Sequence, residues 1–67
     1  MTGSPADRVR NLLLRGDNQL KHGRASSAVE AFSEALEVAS ASGSEVDPRV
    51  KELVERRLAA ARELLSS

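Results

Sequence analysis

The sequence predicts an all-α fold, a small antiparallel bundle of three helices. Three stretches carry apolar residues at intervals of three and four, which is the spacing of one face of an α-helix. No stretch alternates between apolar and polar residues with the period of two that marks a strand. Short glycine-containing breaks separate the stretches, so consecutive helices are expected side by side in a single domain over residues 1–67.

Helix 1 is predicted over about residues 5–22. Ser4 can cap its first turn, and Pro5 suits the first helical position because the N–H that proline lacks has no partner there. Asp7 favours the positive end of the helix, and Gly23 accepts the left-handed conformation that ends helices. The apolar face comprises Val9, Leu12, Leu13, Gly16 and Leu20.

Helix 2 is predicted over about residues 25–41. Its main apolar face comprises Ala25, Ala28, Val29, Phe32, Ala35, Leu36 and Ala39. Ala31 and Val38 lie seven residues apart on a different side. A helix packed between two others shows such a second strip, so we expect helix 2 in the middle.

Helix 3 is predicted over about residues 48–65. Gly43 lies in the break before it, and Asp47 followed by Pro48 repeats the cap-and-proline start of helix 1. The apolar face comprises Val50, Leu53, Val54, Leu58, Ala61, Leu64 and Leu65.

The tripeptide Arg15-Gly16-Asp17 can act as an adhesion signal on an exposed loop. Here it lies inside the periodic pattern of helix 1, where a helical backbone does not present it as a loop. Glycine inside a helix costs about 1 kcal/mol relative to alanine. We therefore expect Gly16 to permit a close approach of helix 2, and not to serve adhesion.

Length and composition narrow the class of protein. A chain of 67 residues buries only about 60% of its unfolded surface, and this one has no Cys for a disulfide. Its formal net charge is zero and Phe32 is its single aromatic residue, which disfavours a nucleic-acid binder. No apolar run approaches the roughly 20 residues of a membrane span, and the N-terminus lacks a signal-peptide pattern. The lack of Cys favours a cytoplasmic protein.

The sequence offers little for catalysis. It has one His, no Cys, no Tyr and no glycine-rich phosphate loop, and its acidic residues occur singly along helix faces. His22 lies in the last turn of helix 1, where a cation is favourable near the helix C-terminus. We expect a non-enzyme without cofactor or metal.

The charged residues are unevenly divided among the helices. Helix 2 has a net charge of −3, whereas helices 1 and 3 each have +2. One interpretation is attraction of the acidic helix to its two basic neighbours, although exposed pairs contribute only about 0–1 kcal/mol each. The other is an acidic edge that selects basic peptides.

The segment "GRASSAVEAFSEALEV" resembles the turn and second helix of the tetratricopeptide repeat (TPR). Five residues resemble that family in type and spacing, namely Gly16, Gly23, Ala28, Phe32 and Ala35. The match covers about residues 9–42, one repeat. The resemblance implies that small residues of the two helices pack against each other and beside the aromatic ring. Arg24 and Ala25 differ from the residues usual at the turn.

A single repeat cannot bury its own face, and arrays generally need three or more repeats. Helix 3 is either the first helix of a truncated second repeat or the third helix of a closed bundle. Its length and the lack of a turn signal after Leu65 favour the closed bundle. The microtubule-interacting-and-trafficking (MIT) domain is similar in design, and "DPRVKELVERRLAAARELL" resembles its third helix.

The ligand sites of these families carry over poorly. Repeat proteins that clamp the carboxylate tails of chaperones use a Lys and an Asn, and the matching positions here are Leu13 and Asp17. ESCRT-binding MIT domains often have a carboxylate four residues after the position matching Leu58, and this chain has Arg62. The chaperone-tail clamp is therefore missing, and the commonest tail-motif pairing of MIT domains is not expected.

The leading functional prediction is a non-catalytic interaction scaffold that binds a partner helix or peptide in a groove between helices 2 and 3. We expect a groove floored by alanines and edged by acidic residues on helix 2 and Arg62 on helix 3. The predicted groove residues are Glu34, Glu37, Val38, Val54, Leu58, Arg62 and Leu65. The alternatives are a self-association domain or a minimal designed scaffold without a native ligand.

Overall fold

The structure, a computed structural model, describes residues 3–66 and consists of three α-helices. They are α1 (Pro5–Lys21), α2 (Ala25–Ala41) and α3 (Pro48–Ser66), with a short 3₁₀ turn at Gly43–Glu45. The described residues contain no strand, so the prediction of an all-α three-helix bundle is confirmed. The first two residues and the last residue of the predicted domain lie outside the described part.

Helices α1 and α3 begin where a side chain satisfies a free backbone N–H group, whereas α2 has no side-chain cap. The hydroxyl of Ser4 accepts a hydrogen bond from the N–H of Asp7 at 3.3 Å. The carboxylate of Asp47 accepts one from the N–H of Arg49 at 2.8 Å. Both interactions are N-terminal caps of the predicted kind, which stabilise a helix by about 1 kcal/mol.

The turn between α1 and α2 depends on Gly23. Its φ is +72°, in the left-handed region that glycine adopts without strain. Its N–H donates to the carbonyl of Leu20 at 3.0 Å, and the N–H of Arg24 donates to the carbonyl of Gln19 at 2.8 Å. This pair of hydrogen bonds is a Schellman motif, which ends α1 where the sequence predicts.

The helix α2 packs against both α1 and α3, as its two apolar strips predict. The largest side chains without solvent exposure are Phe32 of α2, Val9 of α1 and Val54 of α3. A Cβ atom built on Gly16 would overlap the ring of Phe32, with only 2.6 Å to its Cζ atom. Gly16 therefore allows the ring to fill the space beside α1.

Val46 is a core residue that the helical pattern does not include. It lies in the connection before α3, is only 3% exposed, and packs in one cluster with Val9 and Val54. Val46 directly precedes Asp47, the residue that caps α3. An apolar residue just before a cap commonly packs on the adjoining helix, and this signal could have identified it.

Candidate functional site: the α2–α3 groove

An open groove of about 550 Å³ runs between α2 and α3, and it is called here the α2–α3 groove. Seven residues line it, five from α2 and two from α3: Ser33, Leu36, Glu37, Ser40, Ala41, Leu58 and Arg62.

The groove stays open because its α2 side carries small residues. Ser33, Ser40 and Ala41 do not reach across to α3, so the two helices leave space above their contact. Leu36, which is half-buried, and Leu58, which is 5% exposed, provide apolar surface at the bottom. An apolar floor of this kind is where a partner side chain gains most from leaving water.

The edges of the groove carry one charge of each sign. Glu37 is exposed on α2, and Arg62 is exposed on α3. Charges at the edge of a contact surface set orientation and partner preference more than they set affinity.

Three of the predicted groove residues line this groove, and a fourth lies beside it. The three are Glu37, Leu58 and Arg62. Leu65 lies three residues beyond Arg62 on α3 and is 51% exposed. Sequence reasoning missed the other four lining residues, although serines seven residues apart, at positions 33 and 40, indicate a side of α2 with little side-chain volume.

The remaining predicted groove residues lie elsewhere, which corrects their expected placement. Val54 is completely buried in the core, and Val38 is half-buried against the cluster that contains Val9 and Leu12 of α1. Glu34 lies on the α1 side of α2. The reason is that Ala31 and Glu34 line the side of α2 that faces α1, whereas Val38 packs against a cluster that joins α1, Val46 and α3.

The expected alanine floor is also corrected. Ala31 lines the α1 side of α2 together with Leu12. Ala61 has no exposed surface and packs with Phe32 and Leu58 in the core. The apolar surface of the groove therefore comes from Leu36, Leu58 and Ala41, and not from Ala31 and Ala61.

A second surface, the α1–α2 cleft, contrasts with the groove in being largely polar. It consists of two adjoining cavities of about 260 and 340 Å³, which share Leu12, Arg15 and Glu34. The side-chain Oε1 atom of Gln19, another lining residue, is buried without a hydrogen-bond partner. The cleft has less apolar surface to offer a partner than the α2–α3 groove.

A salt bridge between α1 and α3 involves the Asp17 of the adhesion-like tripeptide. The guanidinium of Arg57 donates a hydrogen bond to its carboxylate, and the two side chains are 41% and 37% exposed. This contact between helices does not involve the acidic helix α2. Because both partners are partly exposed, we expect it to contribute about 0–1 kcal/mol.

The described residues show no assembly typical of metal binding. No group of three or more His, Cys, Asp or Glu within residues 3–66 could hold a metal ion. His22 is exposed at the C-terminal end of α1, where its backbone N–H donates to the carbonyls of Asn18 and Gln19. No helix in the same part of the chain has both the length and the apolar character of a membrane span.

Comparison with known proteins found no matching family model, no matching curated protein and no matching solved structure. The resemblance to TPR and MIT domains therefore rests on the residues and segments given above.

Proposed function

We propose that this chain is a non-catalytic, TPR-like or MIT-like interaction module that binds an amphipathic helix of a partner in the α2–α3 groove. The observation that carries the proposal is the groove itself. It joins apolar surface from Leu36 and Leu58 to an edge with Glu37 on one side and Arg62 on the other. The lack of Cys is in keeping with action in the cytoplasm.

An amphipathic helix fits this groove better than an extended segment does. A helix places apolar side chains at intervals of three and four along one side, and these can enter a groove between two helices. An extended strand instead gains most of its affinity from backbone hydrogen bonds to a sheet edge, and residues 3–66 contain no strand.

The test fills the groove without disturbing the core. Ser40 is exposed and lines the groove, so Ser40→Leu places a large side chain where the partner helix would lie. Ser27 is exposed on the same helix but lines the α1–α2 cleft, so Ser27→Leu is the matched control. Binding of fluorescent synthetic amphipathic helices would be measured by polarisation, with thermal unfolding as the check on folding.

We expect Ser40→Leu to weaken binding at least tenfold, about 1.4 kcal/mol, and Ser27→Leu to leave it unchanged. A second matched pair of variants tests the charged edge of the α2–α3 groove. Glu37→Arg should change which peptide flank charge is preferred, whereas Glu34→Arg on the other side of α2 should not. Equal effects of both serine variants, or no effect of either, would show that the partner does not bind in this groove.

A further inference from the structure

Five residues on the groove side of α3, of which Leu58 is only 5% exposed and Lys51 is half-buried, have the spacing of a helix-pairing interface. They follow successive intervals of 4, 3, 4 and 3 residues and are called here the α3 seam: Lys51, Glu55, Leu58, Arg62 and Leu65. Alternating intervals of three and four occur where two helices pack along their length. Two members of the seam, Leu58 and Arg62, also line the α2–α3 groove, so seam and groove form one surface.

The charges of the seam are complementary to themselves in one orientation. Glu55 lies three residues before Leu58, and Arg62 lies four residues after it. If two α3 helices cross antiparallel at Leu58, Glu55 of each copy lies opposite Arg62 of the other copy, and the contact occurs twice. A parallel pair would place each charge opposite its own kind, which costs energy.

The ends of the seam also match in the antiparallel orientation. Leu65 is 51% exposed in the last turn of α3, and in this register it lies opposite Lys51 of the other copy. The half-buried Lys51 can cover the leucine with its aliphatic stem. Its ammonium then lies near the C-terminal end of the other α3, where a cation is favourable.

We propose that the occupant of the α2–α3 groove is helix α3 of a second copy of this chain, packed antiparallel across a two-fold axis at Leu58. This proposal rests on the proposed function, because it assumes that the groove takes a helix. Two-fold symmetry makes every contact occur twice, so a modest surface contributes double. The formal net charge of zero means that two copies do not repel each other through net charge.

The first test exchanges the seam charges. Analytical ultracentrifugation of the wild-type chain should show a monomer–dimer equilibrium. Glu55→Arg and Arg62→Glu should each weaken dimerisation at least tenfold, because each variant places like charges opposite each other twice. An equimolar mixture of the two variants should restore the dimer, because one copy then carries only arginine and the other only glutamate at these positions. Arg56→Glu, on another side of α3 and paired with Glu52, is the control that leaves dimerisation unchanged.

The second test does not alter any charge. The chain has no Cys, so a single introduced Cys reports which surfaces meet. Ala59 and Ala60 are both exposed, but Ala59 lies at the edge of the seam and Ala60 lies on the opposite side of α3. A short bismaleimide linker should join two copies of Ala59→Cys rapidly, because both thiols lie at the edge of the same contact, and it should not join two copies of Ala60→Cys.

The outcomes separate this proposal from the proposed function. A wild-type chain that stays monomeric overturns the second-copy proposal, and so does a dimer that Glu55→Arg and Arg62→Glu leave unchanged while both variants remain folded by circular dichroism. A monomeric chain that still binds amphipathic peptides in a Ser40-dependent way would keep the proposed function and assign the groove to a foreign helix. A monomer without Ser40-dependent peptide binding would overturn both proposals.

Discussion

The two contacts that α2 makes with its neighbours differ in their central packing and in the polarity of the surface they leave open. On the α1 side, Phe32 fills the space beside Gly16, and a side chain at that position would overlap the ring. On the α3 side, Ser33, Ser40 and Ala41 are small, and a groove of about 550 Å³ remains open. The α1–α2 contact is thus closed where Gly16 meets Phe32, and the cleft that remains beside it is largely polar. The α2–α3 contact instead leaves an open groove with an apolar floor. We infer that the first contributes mainly to stability and the second mainly provides surface for a partner.

The largest expected effect lies in the closed contact. Phe32 has no solvent exposure and packs against residues of α2 and α3 as well as Gly16. Phe32→Ala should destabilise the fold by about 3–5 kcal/mol through lost burial and the cavity left behind. In a domain of this size, that loss approaches the whole free energy of unfolding. Circular dichroism should show a largely unfolded chain, and near wild-type stability would mean that the ring does not hold the helices together.

A smaller effect is expected when the closed contact is overfilled. Gly16→Leu forces side-chain atoms into the ring of Phe32 and should destabilise the fold by about 1–3 kcal/mol. Ser40→Leu is the matched enlargement at the open contact, and should change stability by less than about 0.5 kcal/mol. Thermal unfolding of the two variants measures the difference directly. Similar melting temperatures for both would contradict the distinction between a closed and an open contact.

The smallest effect is expected for the salt bridge between the two outer helices. Asp17 and Arg57 are both partly exposed, so a double-mutant cycle with Asp17→Asn and Arg57→Gln should give a coupling energy of about 0–1 kcal/mol. The coupling should fall as salt concentration rises, because exposed charges are screened. A coupling well above this range would make the α1–α3 contact a major support of the fold.

Local chemistry explains why helix ends were predictable. Ser4 and Asp47 accept hydrogen bonds from N–H groups three and two residues away, and Gly23 ends α1 through its own φ angle. Each feature involves residues only a few positions apart, so the local sequence is sufficient to predict it. The role of Gly16 was predictable for a related reason, since a glycine on an apolar helix face requires a close neighbour.

The candidate groove was only partly predictable. Glu37, Leu58 and Arg62 lie in it, whereas Glu34, Val38 and Val54 do not. Helical spacing gives the angle of each residue around its own helix axis. It does not give the rotation of α2 relative to its two neighbours, and a change in that rotation transfers an entire strip of residues from one contact to the other.

The sequence by itself determined the three helices and the residues at which each begins and ends. Its pattern contained no strand, and it required a small residue at position 16. Those features follow from periodicity and from interactions a few residues apart. The tertiary structure alone decided that Ala31 and Glu34 face α1, that Val46 enters the core, and that Asp17 meets Arg57, which is 40 residues away. It also decided where the groove remains open. The physical reason is that packing of all three apolar faces together sets how the helices are rotated and spaced, and no single helix contains that information.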